Sequence, residues 1–450
     1  LEEFNRSLCS ASNIKYAGVL LFKIAKTVSL LTQNQELRYI CGASLQLPMT
    51  KRQLFLRHLA QTSEEPLALE ITRGEGVYLY DSDGKRYLDL IAGIDVSSLG
   101  HCYPSVVQAV QKQAETYMHT MVYGEYVLTP QVALAKLLTD QLSHSTKGLT
   151  QPKLDSVYFV NSGTEATEGA MKLAKRATGR AEIISCFNAY HGSTQGAASL
   201  NSESYFTEAY RPLLPGIRHI DFNCGLCLDQ ITEQTAAVFI ETVQAEWGIR
   251  PPAREWIKAL RRRCDEVGAL LIFDEIQAGY GRTGKLFAFQ HYDVVPDILL
   301  LAKGMGGGMP IGAFVASQAL TTLLGVDPVL GHITTFGGHP VSCAAALATL
   351  QTLLETDLIA EAEEKGFRFR QNLSAVPGVL DVRQVGLWLA VELLNYDQVK
   401  TVIQHCLAAG LITDWFLFND RSLRIAPPLI ITNDEIDWAC EVLAEAIGKL

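Results

Sequence analysis

The chain has 450 residues, 48% of them hydrophobic and 19% charged, with a formal net charge of −10. That length exceeds what a single core usually spans, so two domains are expected, with ample apolar residues to bury them. The modest charged fraction excludes a disordered chain, and the acidic balance excludes the basic footprint that a nucleic-acid partner demands.

Residues 1–48 precede the first methionine, Met49, and read as an extension outside the native core. Glu2 and Glu3 argue against a mitochondrial transit peptide, which is poor in acids. The apolar run 16–31 is interrupted by Lys23 and Lys26 and reads as a short amphipathic helix. No run reaches the roughly 18–20 apolar residues that span a bilayer, so no membrane partner is expected. The polar stretch 50–62 is helix-compatible. Residues 74–80 alternate, 81–85 carry the turn sequence DSDGK, and 87–90 resume the strand pattern. Segments 104–119 and 130–142 are amphipathic, with Pro at or near the first turn.

From residue 152 onward, short runs rich in Val, Ile and Leu alternate with helical segments. Strands are expected at 156–160, 182–187, 236–242, 269–273, 297–301 and 313–316, and helices at 164–177 and 254–267. This pattern predicts a mostly parallel sheet covered on both faces, an α/β fold. Beyond 340 the chain is helical over 342–356 and 358–373, strand-like at 378–383, 387–393 and 422–425, and helical again over 433–447. The organisation expected is an extension at 1–48, small-domain segments at 49–94 and 346–450, and a large domain at 95–345. Of ten cysteines only Cys224 and Cys227 form a CxxC, and no second pair or nearby histidine completes a zinc set. No metal is therefore expected, and the cysteines read as ordinary thiols of a cytoplasmic protein.

Three clusters carry chemistry. Asn161-Ser162-Gly163-Thr164-Glu165 joins a strand to a helix start, where free N–H groups and the helix dipole suit an anion. It lacks the G-x-x-x-x-G-K-[ST] of a nucleotide P-loop. Asp274 ends an apolar strand, at the edge where open α/β sheets bind ligands. Lys303 ends another and enters the glycine-rich Gly304-Met305-Gly306-Gly307-Gly308. An apolar setting disfavours its charged form and makes the amine nucleophilic. A nucleophilic lysine, an acid for a ring nitrogen and an anion cradle together specify pyridoxal 5'-phosphate.

With these clusters in view, the chain resembles the class III (ω-amino acid) pyridoxal-phosphate aminotransferases of fold type I, which include acetylornithine, ornithine and 4-aminobutyrate aminotransferases. The resemblance rests on NSGTEATEGAMKLAKR (161–176), YHGST (190–194), FDEIQAGYGRTGK (273–285), LAKGMGGGMPIGA (301–313), TTFGGHP (334–340) and LRIAPPL (423–429). It implies a seven-stranded, mostly parallel sheet in the large domain and a smaller α+β domain built from both chain ends. It implies that Lys303 binds the cofactor covalently, that Asp274 pairs with the ring nitrogen, and that His191 is among the cofactor-binding residues. By the same resemblance Tyr190 stacks on the ring and Gln277 bonds its hydroxyl. Ser162, Gly163 and Thr164 hold the phosphate, while Thr335 reaches the phosphate of a second subunit, making a homodimer.

The resemblance also implies that Arg424 binds the α-carboxylate of glutamate or 2-oxoglutarate and that Glu246 neutralises it when an ω-amine enters. Three positions depart from the family pattern. Ser193 stands where an arginine usually grips the donor's distal carboxylate, and Ile94 stands where ornithine enzymes usually have Tyr. Thr242 and Trp247 replace small and Pro residues, so that Trp247 either narrows the pocket or packs at an interface. The expected reaction moves an amino group from an ω-amino acid or amine to 2-oxoglutarate. The alternatives are an amine:pyruvate aminotransferase, a glutamate-1-semialdehyde-type aminomutase, or a non-catalytic protein on the same scaffold.

Overall fold

The computed structural model describes residues 49–122, 124–149 and 152–450, so the expectations for 1–48 lie outside the described residues. The chain divides into two units between Glu70 and Ile71. In the first, helix α1 (Lys51–His58) starts with a reciprocal cap between Thr50 and Gln53. Everything that follows belongs to the second.

Strands β1 (Ile71–Glu75), β2 (Tyr78–Asp81) and β3 (Arg86–Asp89) form an antiparallel ribbon. The single strand expected over 74–80 is broken, because Gly76 adopts φ +58° and pairs with His101 instead. That left-handed conformation is open to glycine at little steric cost. Helices α2 (Pro104–Thr116) and α3 (Thr129–Ser145) follow, each with Pro in its first turn.

The central sheet comprises β4 (Ser156–Val160), β5 (Glu182–Cys186), β6 (Ile217–Ile220), β7 (Thr235–Glu241), β8 (Leu270–Asp274), β9 (Ile298–Ala302) and β10 (Gly312–Ala316). Their spatial order is β4-β10-β9-β8-β7-β5-β6. Only β10 runs antiparallel to its neighbours, so the mostly parallel, seven-stranded expectation is met. Every residue of β7, β9 and β10 is buried, which is why these strands read as unbroken apolar runs. Helices α4 (Gly163–Thr178) and α5 (Arg254–Val267) connect strands of this sheet. Short, polar-flanked β6 carried no clear sequence signal.

Helices α6 (Pro340–Glu355) and α7 (Leu358–Ser374) lead to a third sheet. It contains β11 (Asp381–Gln384) and β12 (Leu389–Glu392). Helix α8 (Tyr396–Ala409) was not anticipated, although Asn395 caps its start and left-handed Gly410 its end. Strand β13 (Leu411–Ile412) then pairs parallel with β3, joining the C-terminal chain to the N-terminal ribbon. Strands β14 (Asp414–Phe416) and β15 (Asn419–Ile425) complete the third sheet, and α9 (Asn433–Ile447) closes the chain. Among the described residues no single helix is long and apolar enough to cross a membrane.

Arg180 locks the start of β7 to the end of α5. Its Nη1 donates to the carbonyls of Thr235, Val267 and Gly268 at 3.0, 2.9 and 3.0 Å. Orphaned carbonyls at a helix end are costly when water cannot replace the donor. Arg180→Ala should therefore lower stability by about 1–3 kcal/mol, read as a shift in denaturant midpoint.

Candidate active site

The carboxyl ends of β4, β5, β7, β8 and β9 meet at one edge of the central sheet, where the crossovers leave a crevice. A cavity of about 530 Å³ opens there, lined by Ser162, Tyr190, Asp274, Gln277 and Lys303 among others. That size suits a cofactor-sized ligand.

At one end of the cavity, Ser162 caps α4, its Oγ accepting from the Glu165 N–H at 3.3 Å. The N–H groups of Gly163 and Thr164, in the first helical turn, have no intrahelical acceptor and carry the positive end of the dipole. Glycine is required at 163, since a Cβ there would stand 2.8 Å from Ile276 Cδ1. Thr164 Oγ1 lies 2.7 Å from Thr194 Oγ1, tying this turn to the loop after β5.

At the centre, Asp274 is 5% exposed at the end of β8. Its Oδ2 lies 2.7 Å from His191 Nδ1, and its Oδ1 accepts from the Ile276 N–H at 3.0 Å. The imidazole tautomer protonated at Nδ1 donates to the carboxylate. Tyr190 donates its backbone N–H to Glu241 at 3.0 Å, and its hydroxyl lies 2.8 Å from Ser193 Oγ. Gln277 Oε1 has no partner among the described residues. Lys303 follows β9 with φ +47°. Burial pushes its pKa below the usual lysine range, against the upward pull of Glu246 and Asp95.

These residues fit pyridoxal phosphate. The helix start offers unpaired N–H donors to a phosphate. A buried carboxylate waits where a protonated ring nitrogen needs one, and Gln277 keeps an unpaired polar atom for a ring substituent. A lysine with a depressed pKa faces the same cavity.

Beside the cavity lies a buried fork. Arg424, on β15, is 2% exposed and Glu246, in the loop after β7, is 3% exposed. Nη1 meets Oε1 at 3.1 Å and Nη2 meets Oε2 at 2.8 Å, a bidentate pair. Glu246 also accepts the Leu417 N–H at 2.9 Å, and Arg424 Nε lies 3.1 Å from Asp414 Oδ1. The guanidinium sits 4.5 Å over the Phe416 ring. Burial alone would raise the Glu246 pKa, but Arg424 draws it below its ordinary 4.5. Asp414, with the poorer contact, is pushed up to about 7 by burial. Two acids thus share one cation, and Glu246 makes the closer, bidentate contact.

The predicted residues therefore separate into groups. The cofactor candidates Ser162, Gly163, Thr164, Tyr190, His191, Asp274, Gln277 and Lys303 line one cavity, as do Ser193 and Glu246. Arg424 stands behind Glu246. Ile94 has φ +62° and is not among the cavity-lining residues. Thr335 is exposed and is not among the residues that line the cavity. Trp247 does not line it either; its ring carries Arg250 at 4.8 Å, beside a second cavity. The reading of all cysteines as free thiols is corrected, because Cys224 and Cys227 are joined as a disulfide. Local geometry explains this: a CxxC turn brings the two Cα atoms to 5.3 Å, within disulfide reach.

Sequence reasoning missed Glu241 and Asp95. Glu241 ends β7 as Asp274 ends β8, so the same strand-end rule applied there would have found it. It accepts from Tyr190 and Ala245 N–H groups, and burial raises its pKa well above the carboxylate range. Asp95 pairs with Arg282 at 2.9 Å, both being fully buried. Its burial becomes visible only in three dimensions.

A family model described as "Aminotransferase class-III" matches residues 59–447. The acetylornithine aminotransferase of Methanocaldococcus jannaschii is 39% identical over 398 residues, covering 85% of this chain and 94% of that protein. Among solved structures, the ornithine aminotransferase of Toxoplasma gondii ME49 superposes with a TM-score of 0.81 at 30% identity, covering 90% of this chain and 96% of that one. An amine transaminase from an uncultivated Pseudomonas species, in its PLP-bound form, gives a TM-score of 0.78 at 27% identity, covering 85% and 95%.

The fork yields a pH prediction. Because the folded pKa of Glu246 lies below its ordinary 4.5, its contribution to stability is full above that value and is lost as pH falls through the folded one. The stability difference between the wild type and Glu246→Gln should be constant towards neutral pH and shrink on acidification. Thermal unfolding across acidic pH checks this, and a difference that grows on acidification contradicts it.

Proposed function

That the chain belongs to the class III aminotransferases, and is a pyridoxal-phosphate-dependent aminotransferase, is the premise from which we propose its reaction: transfer of the amino group of an ω-amino acid or amine to 2-oxoglutarate, giving glutamate. The observation that carries the acceptor is the buried Arg424–Glu246 fork beside the cofactor cavity. A guanidinium released from Glu246 offers two parallel N–H donors to a substrate carboxylate. While the pair is closed, the site presents no free cation and suits the uncharged neighbourhood of an ω-amine.

Bound pyridoxal phosphate supplies an aldehyde that condenses with amines and a ring that takes up the electron pair left when a Cα–H proton departs. Lys303 would hold the bound cofactor covalently, and its amine, when free, would move the proton. Its lowered pKa keeps enough of the free amine for that work. Asp274, oriented by His191 and the Ile276 N–H, keeps the ring nitrogen protonated. Tyr190 covers the ring face, Gln277 bonds the ring hydroxyl, and Ser162, Gly163 and Thr164 hold the phosphate.

A homodimer is part of this reading. Thr335 lies exposed, outside the lining of its own cavity, on a segment bearing Val329 (73% exposed) and Phe336 (54%). The Phe336 ring meets His119 at 4.7 Å, next to exposed Met118 and Met121. An apolar patch of this kind suits a second copy, to whose phosphate Thr335 would reach. The six free cysteines among the described residues fit a reducing, cytoplasmic compartment.

Ser193 favours a second reading, an amine donor with pyruvate as acceptor. Its hydroxyl is taken up by Tyr190, and it cannot grip a distal carboxylate. A purified holoenzyme charged with amine and offered each oxo acid separates the two. We expect glutamate formation with a kcat/KM about a hundredfold above that for alanine formation from pyruvate; the reverse preference overturns the acceptor assignment. Lys303→Ala should abolish turnover and the borohydride-trapped cofactor together, and retention of either contradicts its role.

A further inference from the structure

The loop after β6 carries a second chemical feature that transamination does not use. Cys224 and Cys227 are bonded there, both partly exposed, whereas the other described cysteines are free thiols. A single surface disulfide in an otherwise thiol-bearing chain belongs to the labile, exchangeable class.

The two sulfurs stand in different surroundings. The Cys227 N–H donates to Cys224 Sγ at 3.2 Å, a contact that strengthens when that sulfur bears a thiolate charge. The Asp221 carboxylate lies 3.9 Å from Cys227 Sγ, where it disfavours a second thiolate and can hold that thiol's proton. Between them, Leu226 is 88% exposed, and both cysteines are partly exposed among the described residues.

The loop is also tied to the fork. Trp256 Nε1 donates to the Cys224 carbonyl at 3.0 Å, and Asn223 Oδ1 accepts from the Ala253 N–H at 2.7 Å. Three residues earlier, Arg250 exchanges backbone hydrogen bonds with Gln244, both at 2.9 Å. That pairing closes a tight turn, 244–250, with Glu246 near its tip. The disulfide loop is therefore tied to the chain that leaves this turn, three residues beyond its closing pair, and through it to the turn that presents Glu246 to Arg424.

We propose that Cys224 and Cys227 are a reversible dithiol–disulfide site whose redox state sets how firmly Glu246 is held against Arg424. The reductant is an external dithiol. Its thiolate attacks one sulfur and breaks the Cys224–Cys227 bond to give a mixed disulfide. Its second thiol then closes on the first, releasing the protein sulfur. Two electrons and two protons pass to the protein, leaving two thiols and one oxidised dithiol, and the reverse exchange restores the bond. The kinetic consequence rests on the 2-oxoglutarate assignment above, whereas the sulfur chemistry does not.

The test equilibrates holoenzyme in mixtures of reduced and oxidised dithiothreitol, then labels thiols with a maleimide after denaturation and reads peptide masses. The peptide holding 224 and 227 should pass reversibly between no label and two labels while every other cysteine stays fully labelled. In parallel, KM for 2-oxoglutarate should differ between the two states by about threefold or more, with the rate of the amine half-reaction unchanged. Cys224→Ser and Cys227→Ser should each abolish that difference. Sulfurs that stay unlabelled in excess reductant, or labelled in excess oxidant, overturn the proposal. Equal KM values in both states overturn the link to Glu246. One equivalent of zinc, taken up by the reduced enzyme and blocking both labels, would show a metal site with Asp221 instead. Absence of glutamate formation in both states falls on the acceptor assignment, with the labelling result still standing.

Discussion

The buried fork between Arg424 and Glu246 is the constraint on which the rest of the site depends. Two opposite charges out of water are tolerated only with near-ideal geometry and every remaining donor matched. Here Glu246, from the loop after β7, takes Nη1 and Nη2, the Trp415 carbonyl accepts from Nη2 and Leu417 donates to Glu246, whereas Arg424 Nε and Asp414 Oδ1 lie 3.1 Å apart without an aligned hydrogen bond. This cluster is one of several contacts that join the third sheet to the loops of the central sheet, beside Arg383 on the Gly248 carbonyl and Arg282 on the Leu387 carbonyl. A substrate carboxylate that takes Arg424 must replace what Glu246 provides, so binding is necessarily an exchange of one carboxylate for another.

The cofactor cradle solves a different problem. Its groups come from the ends of separate parallel strands, which fixes their spacing through backbone hydrogen bonds rather than through side-chain packing. Asp274, Glu241 and Lys303 are brought to one edge by strand length alone. Desolvation then divides their tasks. Glu241, accepting two N–H groups in an apolar site, is driven towards its neutral form, and Lys303 towards its free amine. Asp274 keeps a histidine and a backbone donor against its oxygens.

Much of this was legible in the sequence because it is local or periodic. The strand-end positions of Asp274 and Lys303, the helix start at Ser162, and the apolar runs of β7 to β10 are all written in consecutive residues. What was not legible depends on contacts distant in the chain. The break at Gly76 is set by His101, the burial of Asp95 by Arg282, and the pairing of β13 with β3 by the closure of the whole fold. The CxxC was visible, but its oxidation state was not, since spacing permits thiols, a metal or a disulfide alike. Helix α8 is the instructive omission: Asn395 and Gly410 marked both ends, and the signal lay unused.

The central claim is that Arg424 serves the oxo acid and not the ω-amine. The direct measurement is stopped-flow absorbance of the two half-reactions in Arg424→Gln, made together with Glu246→Gln so that Glu246 is not left buried without its partner. The second-order rate with 2-oxoglutarate should fall about a hundredfold or more, while the rate with an ω-amine lacking an α-carboxylate stays near that of the parent. Equal losses in both half-reactions, or none in either, would contradict the account.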